Sequence, residues 1–250
     1  FAGVAAEHAG VLERLDRSRW HPAGVVRAEG AVASRCRHLE ISVHVIPLPG
    51  LRRPGPSIVR AASAMFRLVR GTDARLLHAN GSRAMLYAGL AARLARRPAV
   101  WHVRVADAEP VLDRILCSLS RAVVVNSRAV ARRFAWAPTD KVHCIHNGVD
   151  LARFSPRQPS EGLRTSLGIP ERAPVVGSVG RFVPYKGYGF LLEAAHAVEA
   201  VLPGVHWLLV GDGDGRAELE AQCGRLGLGR RVHFTGWRDD ASKLALEDPT

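Results

Sequence analysis

The sequence predicts an α/β fold with two parallel sheets, each covered by helices. Short runs rich in Val, Leu and Ala alternate with longer amphipathic stretches along the chain, which is typical of parallel strands joined by helical crossovers. A polar stretch with an Asn-Gly turn and two prolines, Pro156 and Pro159, interrupts this alternation once. We therefore predict a first domain at 1–146, a connector at 147–170 and a second domain at 171–250.

In the first half, apolar runs bounded by polar or turn residues are predicted to form the strands. The stretch 82–96 has apolar residues at helical spacing and predicts a helix. Ser127 is predicted to cap a further helix at 128–134. The predicted strands are 24–27, 43–47, 75–79, 99–103, 122–126 and 142–146. The buried face of the 82–96 helix is predicted to contain Ala84, Met85, Ala88, Ala91, Ala92 and Ala95.

The second half repeats the alternation after the connector. Its apolar runs predict strands at 174–180, 206–210 and 231–235. The amphipathic stretches between and after them predict helices at 187–201 and 215–226. A series of strands and helices of this kind forms a second sheet with its own core.

Composition narrows the classes of function. The 47% hydrophobic content is ordinary for a globular chain, and the net charge is +12. All but three of the 35 basic residues are Arg, and they are spread along the chain without interleaved aromatics, so we expect no nucleic-acid partner. The four cysteines are far apart, which predicts neither a zinc site nor a disulfide framework. No apolar run approaches the ~18 residues of a membrane span, and we expect a cytoplasmic protein.

Two cations close to a predicted helix start indicate a phosphate site. The stretch 179–187 reads VGRFVPYKG, so Arg181 and Lys186 follow a predicted strand and precede a predicted helix. A guanidinium can bind two phosphate oxygens while an ammonium adds a compact charge, and helix N–H groups favour an anion. The alternative is a solvated surface pair.

Three segments in order resemble one family. The stretch 146–154 reads HNGVDLARF, Arg181 and Lys186 form an R-x4-K motif, and 210–219 reads VGDGDGRAEL, followed by VHFTG at 232–236. Together they resemble retaining nucleotide-sugar glycosyltransferases of the glycosyltransferase-4 group. The resemblance runs from about 76 to 243, and more loosely back to Val11. It implies two facing Rossmann-like domains of the GT-B type, both incomplete.

The resemblance assigns donor-side roles to residues of the second domain. It implies that Arg181 and Lys186 clamp the donor diphosphate and that Gly211 and Gly213 belong to a loop near the donor. It also places Arg238 in the region that contacts the nucleobase. For the glycines, a tight strand-to-helix turn is an equally good interpretation.

The resemblance assigns other roles to the first domain. His102, at the end of a predicted strand, matches a catalytic histidine near the donor sugar and acceptor, although a lone strand histidine is also common in a core. Arg104 and Asn80 are predicted on the acceptor side, where Arg104 could bind an acidic acceptor. Many relatives have Asp after this Arg, whereas this chain has Val105. For Asn80, a simple turn is the alternative.

The implied function is transfer of a hexose from a UDP- or GDP-sugar to a hydroxyl acceptor, with retention, in glycan, polysaccharide or glycolipid synthesis. Two cations on the leaving diphosphate remove the need for a metal, so we expect no cofactor and no metal. The expected acceptor is glycan or lipid-linked, and peripheral contact with the inner face of the membrane is a further expectation. The family's first strand with its glycine-rich loop and its paired-glutamate motif are absent from these 250 residues, and we expect this fragment to be inactive.

Two other classes remain open. The glycine turn at Gly211 suggests an NAD-dependent oxidoreductase or a sugar-nucleotide epimerase, although its G-x-G-x-G spacing departs from the dinucleotide-binding pattern and no carboxylate ends the next strand. A non-catalytic fragment that binds anionic lipid or a partner through its arginines is the third interpretation.

Overall fold

The computed structural model describes residues 10–50, 55–151 and 162–238. The chain divides into two compact units, Phe1–Gly148 and Val149–Thr250. The division falls within the predicted connector at 147–170. A helix at Leu163–Ser166 (α6), which was not predicted, also lies there.

The first unit contains two parallel sheets. Strands β1 and β2 pair with each other, and strands β3 to β6 form a second sheet in the order of the chain, with every neighbouring pair parallel. The strands are Ala23–Val26 (β1), Ser42–Val45 (β2), Leu77–Asn80 (β3), Ala99–Val103 (β4), Ala122–Val125 (β5) and Val142–Cys144 (β6). The helices between and after them are Ala31–His38 (α1), Pro56–Gly71 (α2), Ser82–Ala95 (α3), Pro110–Leu119 (α4) and Arg128–Ala131 (α5).

Strand and helix bounds agree closely with the predicted ones where the sequence marks the end of an element clearly. Strand β4 has both predicted ends. Strand β3 begins two residues later than predicted, because its ladder starts where Leu77 pairs with Ala99. Ser127 accepts the Val130 N–H at 3.2 Å, which confirms the predicted cap. The helix that follows is α-helical only to Ala131 and continues as a 3-10 turn at Arg132–Phe134.

Helix α3 buries the predicted face against the sheet. Met85 and Ala91 are almost fully buried, and Ala84 and Ala95 pack at the margin of the same core. Strand β4 lies in the middle of its sheet and alternates buried and partly exposed residues, with Trp101 fully buried. The core of the first unit therefore lies between helices α2 to α4 and one face of this sheet.

The second unit has a three-stranded parallel sheet in the order β7-β8-β9. The central strand β8 is buried at all five positions, as expected for a strand that is covered on both faces. The strands are Val175–Val179 (β7), His206–Val210 (β8) and Val232–Gly236 (β9), and the helices are Tyr188–Val201 (α7) and Arg216–Arg225 (α8). Within the described residues, no helix is long and apolar enough to span a bilayer.

A hydrogen-bonded group of polar side chains lies at the amino ends of β8 and β9. Arg231 Nη1 is 3.2 Å from His206 Nε2, and since a guanidinium only donates, His206 must carry its proton on Nδ1. That nitrogen donates to His233 Nε2 at 2.8 Å. Burial lowers the pKa of both imidazoles, and positive charge on Arg231 lowers the pKa of His206 further. Both rings are therefore neutral near pH 7, and this group lies at the sheet edge away from the loops described next.

Candidate functional site

Loops at the carboxyl edge of the second sheet carry the residues that the sequence assigns to the donor. Strands β7, β8 and β9 are parallel, so the loops after Val179, Val210 and Gly236 leave the same edge. Ligands of open α/β sheets bind at such an edge. The sequence-predicted residues on these loops are Arg181 and Lys186 after β7, Gly211 and Gly213 after β8, and Arg238 after β9.

The loops after β7 and β8 contact each other through their backbones. The Gly180 N–H donates to the Val210 carbonyl at 2.9 Å, and the Phe182 N–H donates to the Asp212 carbonyl at 3.0 Å. In return, the Gly215 N–H donates to the Phe182 carbonyl at 3.1 Å. These bonds fix the backbone on both sides of Arg181.

Gly211 and Gly213 are required by this contact. A Cβ atom on Gly211 would lie 1.9 Å from the Gly180 carbonyl oxygen, and one on Gly213 would lie 2.6 Å from the Phe182 oxygen. Both glycines also have positive φ, 142° and 156°. The structure therefore explains the glycine turn by loop packing, without a bound dinucleotide.

Arg181 and Lys186 both contact the side chain of Tyr185. Arg181 Nη2 donates to the Tyr185 hydroxyl at 2.7 Å, and Lys186 Nζ lies 5.9 Å from the centre of the Tyr185 ring. All three side chains are exposed, Tyr185 at 74%. Among the described residues, no carboxylate is within ion-pair distance of either cation. The sequence-based argument missed Tyr185, whose signal was an aromatic residue between the two cations.

Helix α7 begins directly after this loop, and among the described residues no side chain caps it. It starts at Tyr188, after Gly187 with φ 73°. Its first turn also contains no acidic residue. Because uncapped N–H groups at a helix start attract negative charge, the helix adds to the field of Arg181 and Lys186.

Asn80, His102 and Arg104 lie together at the carboxyl edge of the first unit's larger sheet. Asn80 and His102 are directly paired across β3 and β4, and the Gly81 N–H donates to the His102 carbonyl at 2.9 Å. Arg104 is the first residue after the end of β4 and lies two positions beyond His102. Burial lowers the pKa of the Arg104 guanidinium, which still remains charged at neutral pH.

A buried ion pair holds the segment that follows Arg104. Asp113 and Arg133 are each 1% exposed and make two hydrogen bonds, at 2.9 and 2.5 Å. Arg133 Nη1 donates to the Val105 carbonyl at 3.1 Å, and Asp113 accepts the Glu109 N–H at 3.1 Å. The ion pair thus fixes both ends of the loop from Val105 to Glu109. No sequence motif predicted this ion pair.

Several parts of the sequence motifs lie outside the described residues. These are 152–154 of the HNGVDLARF stretch and 239–243 after Arg238. Of the described part, His146 Nδ1 lies 3.2 Å from the Asn126 carbonyl. Arg238 is partly exposed two residues after the end of β9.

The fold is that of GT-B glycosyltransferases. A crystal structure of Anabaena Alr3699/HepE in complex with UDP and glucose matches 97% of this chain and 68% of that one, with a TM-score of 0.79 and 26% identity. The family model described as "Glycosyltransferase Family 4" matches residues 11–153, and the chain belongs to this family. Residues 160–246 match "Glycosyl transferases group 1". The family resemblance and the two Rossmann-like domains are thereby confirmed.

Curated relatives are glycosyltransferases of several pathways. The lipopolysaccharide core biosynthesis glycosyltransferase LpsE of Rhizobium meliloti (strain 1021) is 48% identical over 77 residues, which are 31% of this chain and 22% of that protein. The 2-deoxystreptamine N-acetyl-D-glucosaminyltransferase of Streptomyces fradiae is 30% identical over 247 residues, 90% of this chain and 56% of that protein. The chain therefore spans less than two thirds of the length of these relatives.

Proposed function

We propose that the protein transfers a hexose from a nucleoside-diphosphate sugar to a hydroxyl acceptor, with retention of configuration, in glycan, polysaccharide or glycolipid synthesis. The observation that carries the proposal is the cation pair at the second sheet's carboxyl edge. Arg181 and Lys186 share one tyrosine contact, precede an uncapped helix start and have no carboxylate partner among the described residues. Family membership and the UDP bound to a structural relative support the same assignment.

The proposed role of the two cations is to stabilise the departing diphosphate. Negative charge grows on the bridging oxygen as the bond to the sugar breaks, and fixed cations near that oxygen lower the barrier. Arg181 can bind two oxygens in one plane, and Lys186 supplies a point charge. We therefore propose that no metal is needed for the reaction.

On the other unit, His102 and Arg104 are the proposed acceptor-side groups. His102 is proposed to contact the reacting sugar and the acceptor hydroxyl, and Arg104 to bind an acidic group on the acceptor. His102 lies near the carboxyl end of β4 and Arg104 directly follows that strand, at the edge where ligands of such sheets bind. Asn80, paired with His102, is proposed to line the same acceptor surface.

Binding of UDP and GDP to the 250-residue chain tests the clamp directly. Arg181→Ala and Lys186→Ala are each expected to weaken binding about 10- to 100-fold, because a charge-assisted hydrogen bond contributes ~1.5–3 kcal/mol. Calorimetric titration measures the effect. The matched control is Arg172→Ala, an exposed arginine before β7 at the opposite sheet edge, which should bind like the wild type.

Two outcomes of that titration would remove the proposal. Affinity unchanged in both clamp variants would show that these cations do not hold the diphosphate. Saturable NAD binding without any binding of UDP or GDP would instead favour the oxidoreductase. A transfer assay on the longest protein that the gene encodes tests two further parts of the proposal. Retention requires that the product has the anomeric configuration of the donor. Metal independence requires that EDTA leaves the transfer rate unchanged.

The helices of the first unit support peripheral attachment to the inner face of an anionic membrane, which we propose. Helices α2, α3 and α4 form one layer, with α3 in contact with both neighbours. Helices α2 and α3 contain no acidic residue, and the one acid of α4, Asp113, is buried. The layer exposes the apolar side chains Val59, Leu90, Leu94, Val111 and Ile115 beside the arginines Arg60, Arg67, Arg70, Arg83, Arg93 and Arg114.

Vesicle co-sedimentation tests the membrane contact. The protein is expected to pellet with vesicles that contain phosphatidylglycerol and to remain in solution with neutral phosphatidylcholine vesicles, since each basic residue near an anionic surface contributes ~1 kcal/mol. Leu94→Glu should reduce the bound fraction several-fold, whereas Leu202→Glu should not, although Leu202 is also an exposed leucine, in the second unit. Equal binding to both vesicle types, or equal loss in both variants, would contradict the proposal.

A further inference from the structure

His78 lies beside His102 on the neighbouring strand. Strand register pairs His78 with Val100 and Asn80 with His102, so the two histidines are diagonal neighbours on the same face of the sheet. His78 Nε2 is 3.3 Å from His102 Nδ1. This contact joins two residues that are 24 positions apart in the sequence.

The two imidazole rings are nearly parallel, and a ring nitrogen of each faces the other. The ring centres are 5.4 Å apart and the ring planes differ by 14°. The centre separation exceeds the N···N distance, so the two nitrogens lie on the sides of the rings that face each other. At this distance one nitrogen can donate its N–H to the lone pair of the other.

A second imidazole pair in the same chain shows what this geometry does. His206 and His233 have ring centres 5.1 Å apart and planes 16° apart, and their nitrogens are 2.8 Å apart. There Arg231 fixes the proton of His206 on Nδ1. Because that Nδ1–H donates to Nε2 of His233, a neutral His233 carries its proton on Nδ1. An imidazole whose own proton is fixed thus holds its bonded partner in the matching tautomer.

Packing of the core does not explain His78. Its neighbours Leu77 and Ala79 point to the opposite face and are buried in the core, while the His78 side chain is exposed. An exposed strand position tolerates many residues, so the imidazole is not needed for folding of the sheet. On this face a ring nitrogen of His78 contacts His102.

We propose that His78 is a positioning residue for His102, holding Nδ1 of His102 so that its Nε2 has one direction and a protonation state that is coupled to the tautomer of His78. The proposal rests on the proposed function, in which His102 contacts the reacting sugar and the acceptor. A hydrogen bond from a neighbouring residue to one ring nitrogen of a functional histidine fixes the tautomer and orientation of that histidine. His78 itself touches neither substrate in this role.

Ring-nitrogen NMR tests the contact without any need for activity. In 15N-histidine-labelled protein, with the His102 signals assigned through His102→Gln, His78→Phe is expected to shift both ring nitrogens of His102. Phe keeps the ring shape and removes the hydrogen-bonding nitrogen. His78→Gln retains a polar group at the position of Nε2 and should largely restore the wild-type shifts. The matched control is His143→Phe on β6, which should leave the His102 signals unchanged.

Transfer kinetics test the positioning role. On the longest product that the gene encodes, His78→Phe is expected to lower kcat about tenfold with little change in the KM for the donor, because misorientation of a reacting group costs rate rather than ground-state binding. His78→Gln should recover most of that loss. His143→Phe should have wild-type kcat.

The outcomes separate this inference from the proposed function. Unchanged His102 nitrogen shifts in His78→Phe would overturn the inference, and so would shifted nitrogens with an unchanged kcat. A fall in kcat without a change in the shifts would also overturn it, because His78 would then act by another route. If the wild type shows neither nucleotide binding nor transfer, the proposed function fails, and the NMR comparison still decides whether His78 holds His102.

Discussion

Replacing Asp113 with alanine is expected to lower the free energy of unfolding of the first unit by about 3–5 kcal/mol, since the change leaves a buried guanidinium without its carboxylate. Arg133 is 1% exposed and cannot recover water as its partner. The Glu109 N–H also loses its acceptor, which frees the start of helix α4. Calorimetry of the whole chain should show the first-unit transition roughly 10 °C lower.

Two controls isolate burial as the cause. Glu29 and Arg37 form a two-bond ion pair of similar geometry, at 2.8 and 2.7 Å, but both side chains are exposed. Glu29→Ala should therefore leave the transition where it is, because solvent screens an exposed pair. Asp113→Leu combined with Arg133→Met removes both charges and should regain most of the lost stability. A wild-type transition in Asp113→Ala would contradict the argument.

Asp113→Ala is expected to affect the acceptor-side residues as well as the stability of the first unit. The ion pair holds Val105 and Glu109 at the two ends of the loop that follows Arg104. Loss of the pair therefore loosens the loop next to His102 and Arg104 without changing either side chain. This is why a residue far from the predicted site in sequence matters for its geometry.

Much of the fold could be predicted from the sequence because its strands are short apolar runs with clear ends. The run 206–210 lies between a Pro-Gly turn and a glycine loop, and the strand has the predicted bounds. The run 231–235 is displaced by one residue in the structure, where Val232–Gly236 forms the strand. There the end is set by the Gly211 N–H, which bonds to the Gly236 carbonyl, a contact between distant segments.

Spacing alone could predict site residues only where one loop carries them, whereas Asn80 and His102 were placed on one side of the site by the family resemblance. Arg181 and Lys186 are five residues apart, and local spacing was enough to place them on one loop. The pairs His78–His102 and Asp113–Arg133 join residues 24 and 20 positions apart, and strand register and helix packing bring them together. Sequence spacing carries no information on such contacts, because register is a property of the whole sheet.

Replacing Gly211 with alanine is expected to destabilise the second unit by roughly 3 kcal/mol or more and to abolish UDP binding together with the stability. The new Cβ would lie 1.9 Å from the Gly180 carbonyl oxygen, so one of the two loop backbones must move. The positive φ of 142° adds backbone strain for any side chain. Since the Gly180–Val210 bond precedes Arg181 directly, a displaced backbone also displaces the guanidinium.

Calorimetry and UDP titration on one sample separate loop packing from direct contact with the donor. Gly224→Ala is the matched control: it lies in helix α8 with open space around the added Cβ, and it should leave the second unit as stable or more stable by up to ~1 kcal/mol. If Gly211→Ala kept wild-type stability and lost only UDP affinity, Gly211 would serve close approach of the donor instead of loop packing. If it kept both, the contact between the two loops would not be what orders Arg181, and the clamp would need another support.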